Sequence, residues 1–299
     1  MDAAVEGKPL LLLVNPASGH GRAKALLPKV ERELDQRRIA FRVERTQDAA
    51  HAIEEALHAV ELGEVPVVMS GDGLIGVVGG ALAGSEVPLG IIPGGRGNDL
   101  ARVLGIPDDP AGAVGVLEAG ETRRIDIGEV NGQRFLGIAS VGFDSEANRI
   151  ANETKVVRGN LVYAYAALRA LAGWRPARFT VQAGDDRLRF TGYTVAVANN
   201  KAYGGGMFIA PDADLADGLF DIVTVGEYGK LRALGNLPKV FKGTHVESDE
   251  VKVFRAPFLE LSASRPFAVY ADGEHLTDLP ASLRILPGVL SVIAPPASA

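Results

Sequence analysis

Over the first 110 residues the spacing of apolar positions switches repeatedly between two periods. Leu10–Val14 is an unbroken apolar run, short enough for a strand and apolar enough to be covered on both faces. Ala23, Leu26, Leu27, Val30 and Leu34 then recur at helical spacing, with Pro28 either starting the regular part of that helix or kinking it. Ile39–Arg45 predicts a second strand, and Ile53, Leu57 and Val60 predict one face of a second helix. Val65–Met69 and Leu89–Ile92 predict two more strands, separated by Ile75, Val78 and Leu82 at helical spacing. Such alternation implies a mostly parallel sheet with helices on its faces.

After Asp126 the texture changes. "RFLGIASVGFD", "ARFTVQAGDDRLRFTGYTVAVANN", "GLFDIVTVGE", "FLELSAS" and "PFAVYADGE" read as strands between turn residues, interrupted by one helix around Gly159–Ala172 and an amphipathic segment over Lys230–Phe241. Two domains follow: an α/β domain over residues 8–130 and a β-rich domain over 131–287. The last strands, "SLRILPG" and "VLSVIAPP", either close the β half or return to the first domain, with 288–296 as the returning piece.

Three predicted strands run into glycine-containing turns. In "LLLLVNPASGHGR" the turn holds Asn15, Pro16, Ser18 and Gly19 ahead of a helix, which aims backbone N–H groups at one point and suits a phosphate; an ordinary turn with Ser18 as a local cap fits as well. In "VVMSGDGL", Ser70, Gly71, Asp72 and Gly73 allow close backbone approach by a ligand. Asp-Gly is also a common hairpin signal, but the helical spacing after it weakens that reading. Gly76, Gly80 and Gly84 continue at helical spacing and predict a bare face, for close packing or for a nucleotide lying across it. In "IIPGGRGNDLARVLGIP", Asn98 or Asp99 is a candidate helix cap, while Gly95 and Arg96 lie where a phosphate could be held. No lysine follows a glycine loop as in a P-loop, so an anion would be held by amides, a metal ion and Arg96.

Composition narrows the classes. The 299 residues are 47% hydrophobic and 23% charged, with a net charge of −6, which argues against a nucleic-acid partner. With no cysteine, thiolate nucleophiles, disulfides and Cys-based metal sites are excluded. No apolar run reaches the ~18 residues of a membrane span. A cytoplasmic location is expected, with membrane contact limited to the surface.

"VNPASG", "SGDGL", "PGGRGNDLAR", "RRIDIG", "NNKAYGGGMFIAPDADLADGLFDIV" and "YADGEH", in this order, resemble the diacylglycerol kinase catalytic-domain family, which includes bacterial lipid kinases and sphingosine and ceramide kinases. The resemblance covers about residues 8–296. It implies an α/β nucleotide-binding domain related to those of NAD kinases and phosphofructokinases, a sandwich-like second domain, and ATP in the cleft between them. By motif match, Asn15, Pro16, Ser18, Gly19, Gly71, Asp72 and Gly73 would lie along the nucleotide and Thr46 near its adenosine end. Asp72, Asp99 and Asp126 would form the acidic network that holds water and Mg²⁺. Asp272, with Glu274 beside it, would be the catalytic base, although Asp-Gly at 272–273 also reads as a plain turn. A second, structural Mg²⁺ would take the Asp217 side chain and the carbonyls of Asp214 and Leu219.

Phosphoryl transfer needs positioning, charge neutralisation and an acceptor for the alcohol's proton, and carboxylates with a divalent ion supply the last two. The expected reaction is ATP-dependent phosphorylation of a lipid hydroxyl on a diacylglycerol-like or sphingoid molecule. Two departures bear on it. Gly76 and Val77 stand where family members commonly carry Asn and Glu, and Arg96 replaces a usual threonine. A kinase of a soluble alcohol and a non-catalytic nucleotide-binding regulator are the alternatives. Lipid access from a membrane surface would use the basic segments around Lys155, Arg158, Arg169, Trp174, Arg175 and Arg178, and around Lys230, Arg232, Lys239, Phe241 and Lys242, if they are not simply half-buried helices. A homodimer is left open.

Overall fold

The computed structural model describes residues 7–154 and 161–296. Lys155, Arg158 and the expected helix start at Gly159 lie outside the described residues, as do the side chains of Leu231, Leu234 and Leu237. Contacts divide the chain into two units, Met1–Ile127 with Pro287–Ala299, and Gly128–Leu286.

The first unit runs β1 (Leu10–Val14), α1 (Ser18–Gln36), β2 (Phe41–Arg45), α2 (Ala49–Glu61), β3 (Val65–Ser70), α3 (Asp72–Ala81), β4 (Gly90–Pro93), α4 (Asp99–Val103), α5 (Pro110–Ala119) and the start of β5 (Thr122–Val130). Its sheet is parallel in the order β2-β1-β3-β4, with Leu10 opposite both Phe41 and Val65 and Val67 opposite Gly90. β1 and β3 are buried at every position, as the unbroken apolar runs require of central strands. Leu89 pairs in parallel with Val292, so the chain's last strand extends this sheet beside β4.

Two expectations shift. The buried face of α2 is Ala52, Ala56 and Ala59, while Leu57 is 43% exposed. α2 packs on α3, whose Gly76, Gly79 and Gly80 are buried, and small residues on both helices allow the close approach that a leucine would block. Gly84 lies beyond α3, where its N–H donates to the Val289 carbonyl at 2.6 Å. Pro28 sits inside α1, whose regular turns begin only after Gly19, His20 and Gly21, all at positive φ.

The second unit continues β5 and adds β6 (Gln133–Phe135), β7 (Ile138–Gly142), α6 (Phe143–Glu153), α7 (Leu161–Gly173), β8 (Ala177–Ala183), β9 (Asp186–Ala198), β10 (Phe220–Gly226), α8 (Lys230–Val240), a 3₁₀ turn at Thr244–Glu247, β11 (Val251–Ala256), β12 (Phe258–Ala263), β13 (Ala268–Ala271), β14 (Glu274–Asp278) and β15 (Ala281–Ile293). The sheet order is β14-β13-β7-β9-β8-β12-β15-β5-β6, with β10 paired to β9 and β11. Alternate residues of the central strands feed two cores. Val141, Val195, Val197 and Phe220 join one, and Ile138, Ala196, Ala198 and Val223 join the other. The fold is thus an α/β parallel-sheet unit and a β-rich sandwich-like unit. β15 is one uninterrupted strand that serves both, its first residues pairing with β12 and its last with Leu89.

α6 begins inside "RFLGIASVGFD", which reads as a strand to its end, and the helix that follows carries no reading in the sequence. Ser145 accepts the Gly142 N–H at 3.0 Å and starts it. Trp174, read as an interfacial aromatic, is 5% exposed. It packs face to face on Tyr193 and edge-on to Phe143, with the Arg265 guanidinium over its ring at 5.1 Å.

Candidate functional site

In the first unit the three glycine-containing turns meet at the C-terminal ends of β1, β3 and β4, where ligands of open parallel sheets bind. The closeness leaves no room for side chains. A Cβ on Gly95 would lie 2.4 Å from the Gly71 Cα, and one on Gly19 would lie 2.8 Å from the Gly94 carbonyl oxygen. A Cβ on Gly71 would sit 3.2 Å from the Gly95 Cα and 3.6 Å from the Ser18 hydroxyl. The result is a floor of bare main chain.

Side chains brace this floor. Asn15 accepts the Ala17 N–H at 3.0 Å, which sets the turn through Pro16, and the Thr46 hydroxyl donates to the Val14 carbonyl at 3.3 Å. Ser70, 2% exposed at the end of β3, accepts the Gly94 N–H on its carbonyl at 2.8 Å. Asn98 is buried and left-handed (φ 51°), and its side-chain oxygen accepts the Gly95 N–H at 2.8 Å. Asn98 occupies the N-cap position of α4, as expected, but makes no side-chain cap hydrogen bond to it, and the Gly95 N–H is satisfied within the turn. Arg22 donates to the Gly95 carbonyl at 2.9 Å and pairs with Asp108 at 2.6 Å, and Asp108 also accepts from Asn98 at 2.9 Å. Arg22 and Asp108 carry no sequence signal beyond a charged residue after a glycine turn. Arg96 is exposed on the same turn.

Asp72 opens α3, follows Gly71 and precedes Gly73. Its carboxylate accepts the Leu100 N–H at 3.0 Å, tying α3 to the start of α4. Burial pushes the Asp72 carboxyl above its ordinary value, the Leu100 N–H partly offsets this, and the nearby Asp99 carboxylate adds to the rise. Asp99 is 5% exposed and receives Arg102 at 2.5 Å. Two neighbouring carboxyls, one held above its ordinary pKa chiefly by burial and further by the other's charge, fit a divalent cation that would share its sphere with water and phosphate oxygens. Asp126 is 1% exposed on β5 and accepts the Gly288 N–H at 2.7 Å, so one of its oxygens closes a chain bend. Among the described residues no three acids or histidines converge on one point suited to a metal ion.

In the second unit Asp272 and Gly273 form the two-residue turn between β13 and β14, both at positive φ (53° and 88°). The plain-turn reading is therefore true of the backbone. Its side chain does more: Oδ2 accepts the Leu136 N–H and Oδ1 the Gly137 N–H, each at 2.9 Å. Gly137 is required there, because a Cβ would lie 2.3 Å from Oδ1. Glu274 begins β14 and is exposed. In the 212–221 loop, Asp214 accepts the Ala216 N–H and Asp217 the Leu219 N–H, each at 3.0 Å. Arg255 spans this loop, bonding Asp221 at 3.0 Å and the Asp212 carbonyl at 2.9 Å, with Asp217 at 3.6 Å. A cationic group thus already faces Asp217.

Residues 9–130 match the model of the diacylglycerol kinase catalytic domain, and residues 137–294 match that of the YegS C-terminal NAD kinase beta sandwich-like domain. A Mycobacterium tuberculosis protein named diacylglycerol kinase is 36% identical over 95% of this chain and 94% of its own length. A Pseudomonas aeruginosa protein named "Probable lipid kinase YegS-like" is 34% identical over 97% of this chain and 95% of its own. The crystal structure of a diacylglycerol kinase from Bacillus anthracis superposes with a TM-score of 0.74 over 98% of both chains at 22% identity, which speaks to fold alone. Another crystal structure from that organism reaches 0.81 at 25% identity over 98% of each chain. Two domain models in sequence and relatives matched end to end place the chain in the diacylglycerol kinase catalytic-domain family.

Proposed function

We propose that this chain is an ATP-dependent lipid kinase that moves the γ-phosphoryl group to the hydroxyl of a diacylglycerol-like or sphingoid lipid. The observation that carries the reading is the bare-backbone floor formed by the Gly19, Gly71 and Gly95 turns in a chain whose relatives are named diacylglycerol kinase. Amides of Pro16–Gly19 residues with an N–H and of Gly71–Gly73 serve the phosphates, with Arg96 reaching from the rim. Thr46 supports the adenosine end. Asp72 and Asp99, with Asp126 nearby in the acidic network, would hold Mg²⁺, which would neutralise phosphate charge. A second Mg²⁺ at Asp217 and the carbonyls of Asp214 and Leu219 would share Asp217 with Arg255.

Asp272 accepts the proton of the lipid hydroxyl. Its two oxygens accept the Leu136 and Gly137 N–H groups, which orient the carboxylate toward its role as base. Leu136 and Gly137 position the group, and Glu274 adds negative charge beside it. No described helix is long and apolar enough to cross a membrane. In this reading the enzyme meets its lipid at a membrane surface, on the cytoplasmic side.

The test is a phosphorylation assay with Mg²⁺-ATP and a mixed lipid extract. Lipid phosphate is expected from the wild type, with transfer lowered roughly 10³-fold in Asp272→Asn and nucleotide affinity kept within about tenfold. Phosphorylation confined to water-soluble alcohols, or tight nucleotide binding without any transfer, would overturn the reading.

A further inference from the structure

The chain just before β7 holds the Asp272 carboxylate in an irregular way. In an extended strand, successive N–H groups point to opposite neighbours. Here the N–H groups of Leu136 and Gly137 point to the same side, each 2.9 Å from an oxygen of Asp272. Two consecutive amides turned one way form a small concavity that holds an anion. Keeping them turned requires a hold on their other side, because the regular ladder of β7 begins at the very next residue, Ile138.

Asn199 supplies that hold. Its side-chain Nδ2 donates to the Leu136 carbonyl at 2.9 Å, and its backbone N–H donates to the Gly137 carbonyl at 3.0 Å. Strand order explains the meeting: β13 and β9 flank β7, so Asp272 after β13 and Asn199 after β9 reach the chain before β7 from opposite sides. The registers agree, with Ala271 opposite Ala139 and Ala198 opposite Ile138. The single peptide unit between Leu136 and Gly137 is therefore bonded at both ends, its oxygen to Nδ2 of Asn199 and its N–H to Oδ1 of Asp272. Hydrogen bonds in such a chain polarise and strengthen one another.

The backbone bond of Asn199 is open to any residue except proline, whereas the Nδ2 bond depends on this side chain. Asn199 is 1% exposed and Leu136 2%, so bulk water is a poor substitute for the donor. Without it the peptide is free to rotate, since Gly137 has no side chain to resist. Rotation takes the Gly137 N–H away from Oδ1 and turns the Leu136 carbonyl oxygen toward the carboxylate, where like charges repel.

We infer that Asn199 is a positioning residue for the proton acceptor: through the peptide between Leu136 and Gly137 it fixes the orientation in which Asp272 meets the lipid hydroxyl. This role rests on the kinase reading for the reaction it serves, whereas the link from Asn199 to Asp272 rests on the hydrogen bonds alone.

The experiment measures kcat and the KM for ATP of the full chain with Mg²⁺ and a saturating lipid extract, for the wild type, Asn199→Ala, Asn199→Ser, Asp272→Asn and the Asp272→Asn/Asn199→Ala double variant. Asn199→Ala is expected to lower kcat by about 10–100-fold with the KM for ATP within about threefold. Asn199→Ser keeps a donor and recovers part of the loss. In the Asp272→Asn background, Asn199→Ala lowers the residual rate by less than about threefold, because positioning matters only while the positioned group works. A purely structural role would lower both backgrounds alike.

A second measurement is independent of activity. Amide hydrogen exchange followed by NMR is expected to be at least about tenfold faster at Gly137 in Asn199→Ala, with exchange at Ala139, inside β7, unchanged. Near-ultraviolet circular dichroism confirms that the variants fold. Wild-type kcat in Asn199→Ala, an equal loss in both backgrounds, or exchange at Gly137 that rises only in step with Ala139 overturns the inference. A wild type without lipid transfer overturns the kinase reading instead, and the exchange measurement then decides the link from Asn199 to Asp272 by itself.

Discussion

The floor of the first unit and the cavity of the second are built from opposite materials. The floor is main chain, made by removing side chains at Gly19, Gly71 and Gly95 and bracing the remainder with Asn98, Arg22 and Asp108. The cavity of the second unit, lined by α6, α8, β9 and β10, is side chain, with Asp144 beside the Tyr203 and Thr194 hydroxyls and with His245, both set in a mainly apolar wall. A backbone site tolerates no added atom but offers little selectivity beyond negative charge. A side-chain site tolerates reshaping, and its selectivity resides in a few polar atoms.

Substitutions separate the two modes. The largest effect is expected from Gly95→Ala, whose methyl group would force the Gly71 and Gly95 turns apart. Nucleotide-dependent transfer is expected to fall by roughly 10²-fold or more, with nucleotide affinity measured alongside. Retention of full activity would show that the floor does not hold phosphate.

Next is the pH dependence of Asp144. Its carboxyl is raised in the fold to about 6, so the folded state binds the proton more tightly than the unfolded chain does. Relative to Asp144→Asn, the wild type should lose stability as pH rises from about 4 to about 6 and then level off, by on the order of 1–3 kcal/mol. Denaturant unfolding of both proteins across that range checks it. His245, Tyr203 and Tyr228 are common to both and cancel in the difference. A difference that grows toward low pH instead would show that the carboxyl is stabilised as its anion.

Ala56→Leu should destabilise by about 1–3 kcal/mol through overpacking between α2 and α3, with loss of thermal stability as the readout. Asn98→Ala should cost about 1–2 kcal/mol and weaken nucleotide binding several-fold, because the buried Gly95 N–H loses its acceptor. Leu57→Glu, on the outer face of α2, should change stability by less than about 0.5 kcal/mol.

The contrast also explains what could be read from the chain. Backbone sites announce themselves, because glycine at the end of an apolar run has few other uses, and all three turns were legible together with the strands that feed them. Asp272 was legible as a turn from Asp-Gly, whereas the two N–H donors that hold its carboxylate come from Leu136 and Gly137, more than 130 residues away in sequence. Helix faces were legible only where packing is ordinary. Periodicity chose Ile53, Leu57 and Val60 for α2, but a glycine-lined neighbour turns the alanine face inward, and no pattern within α2 alone contains that information. Asp144 was hidden because "RFLGIASVGFD" reads as a strand that ends on it, and His245 because a lone histidine carries no spacing signal. They come to line one cavity only after α6, α8 and β9 have packed.

β15 imposes an order on synthesis. The position beside β4 in the parallel sheet is filled by residues around Val292, which leave the ribosome only after the whole of the second unit. Until then the β4 side of a nearly finished sheet stays unzipped, with backbone donors at Leu89 lacking the Ser291 carbonyl that later receives them. The nascent first unit thus spends the translation of some 160 residues with an adhesive rim, the interval in which a chaperone or a neighbouring nascent chain has its opportunity.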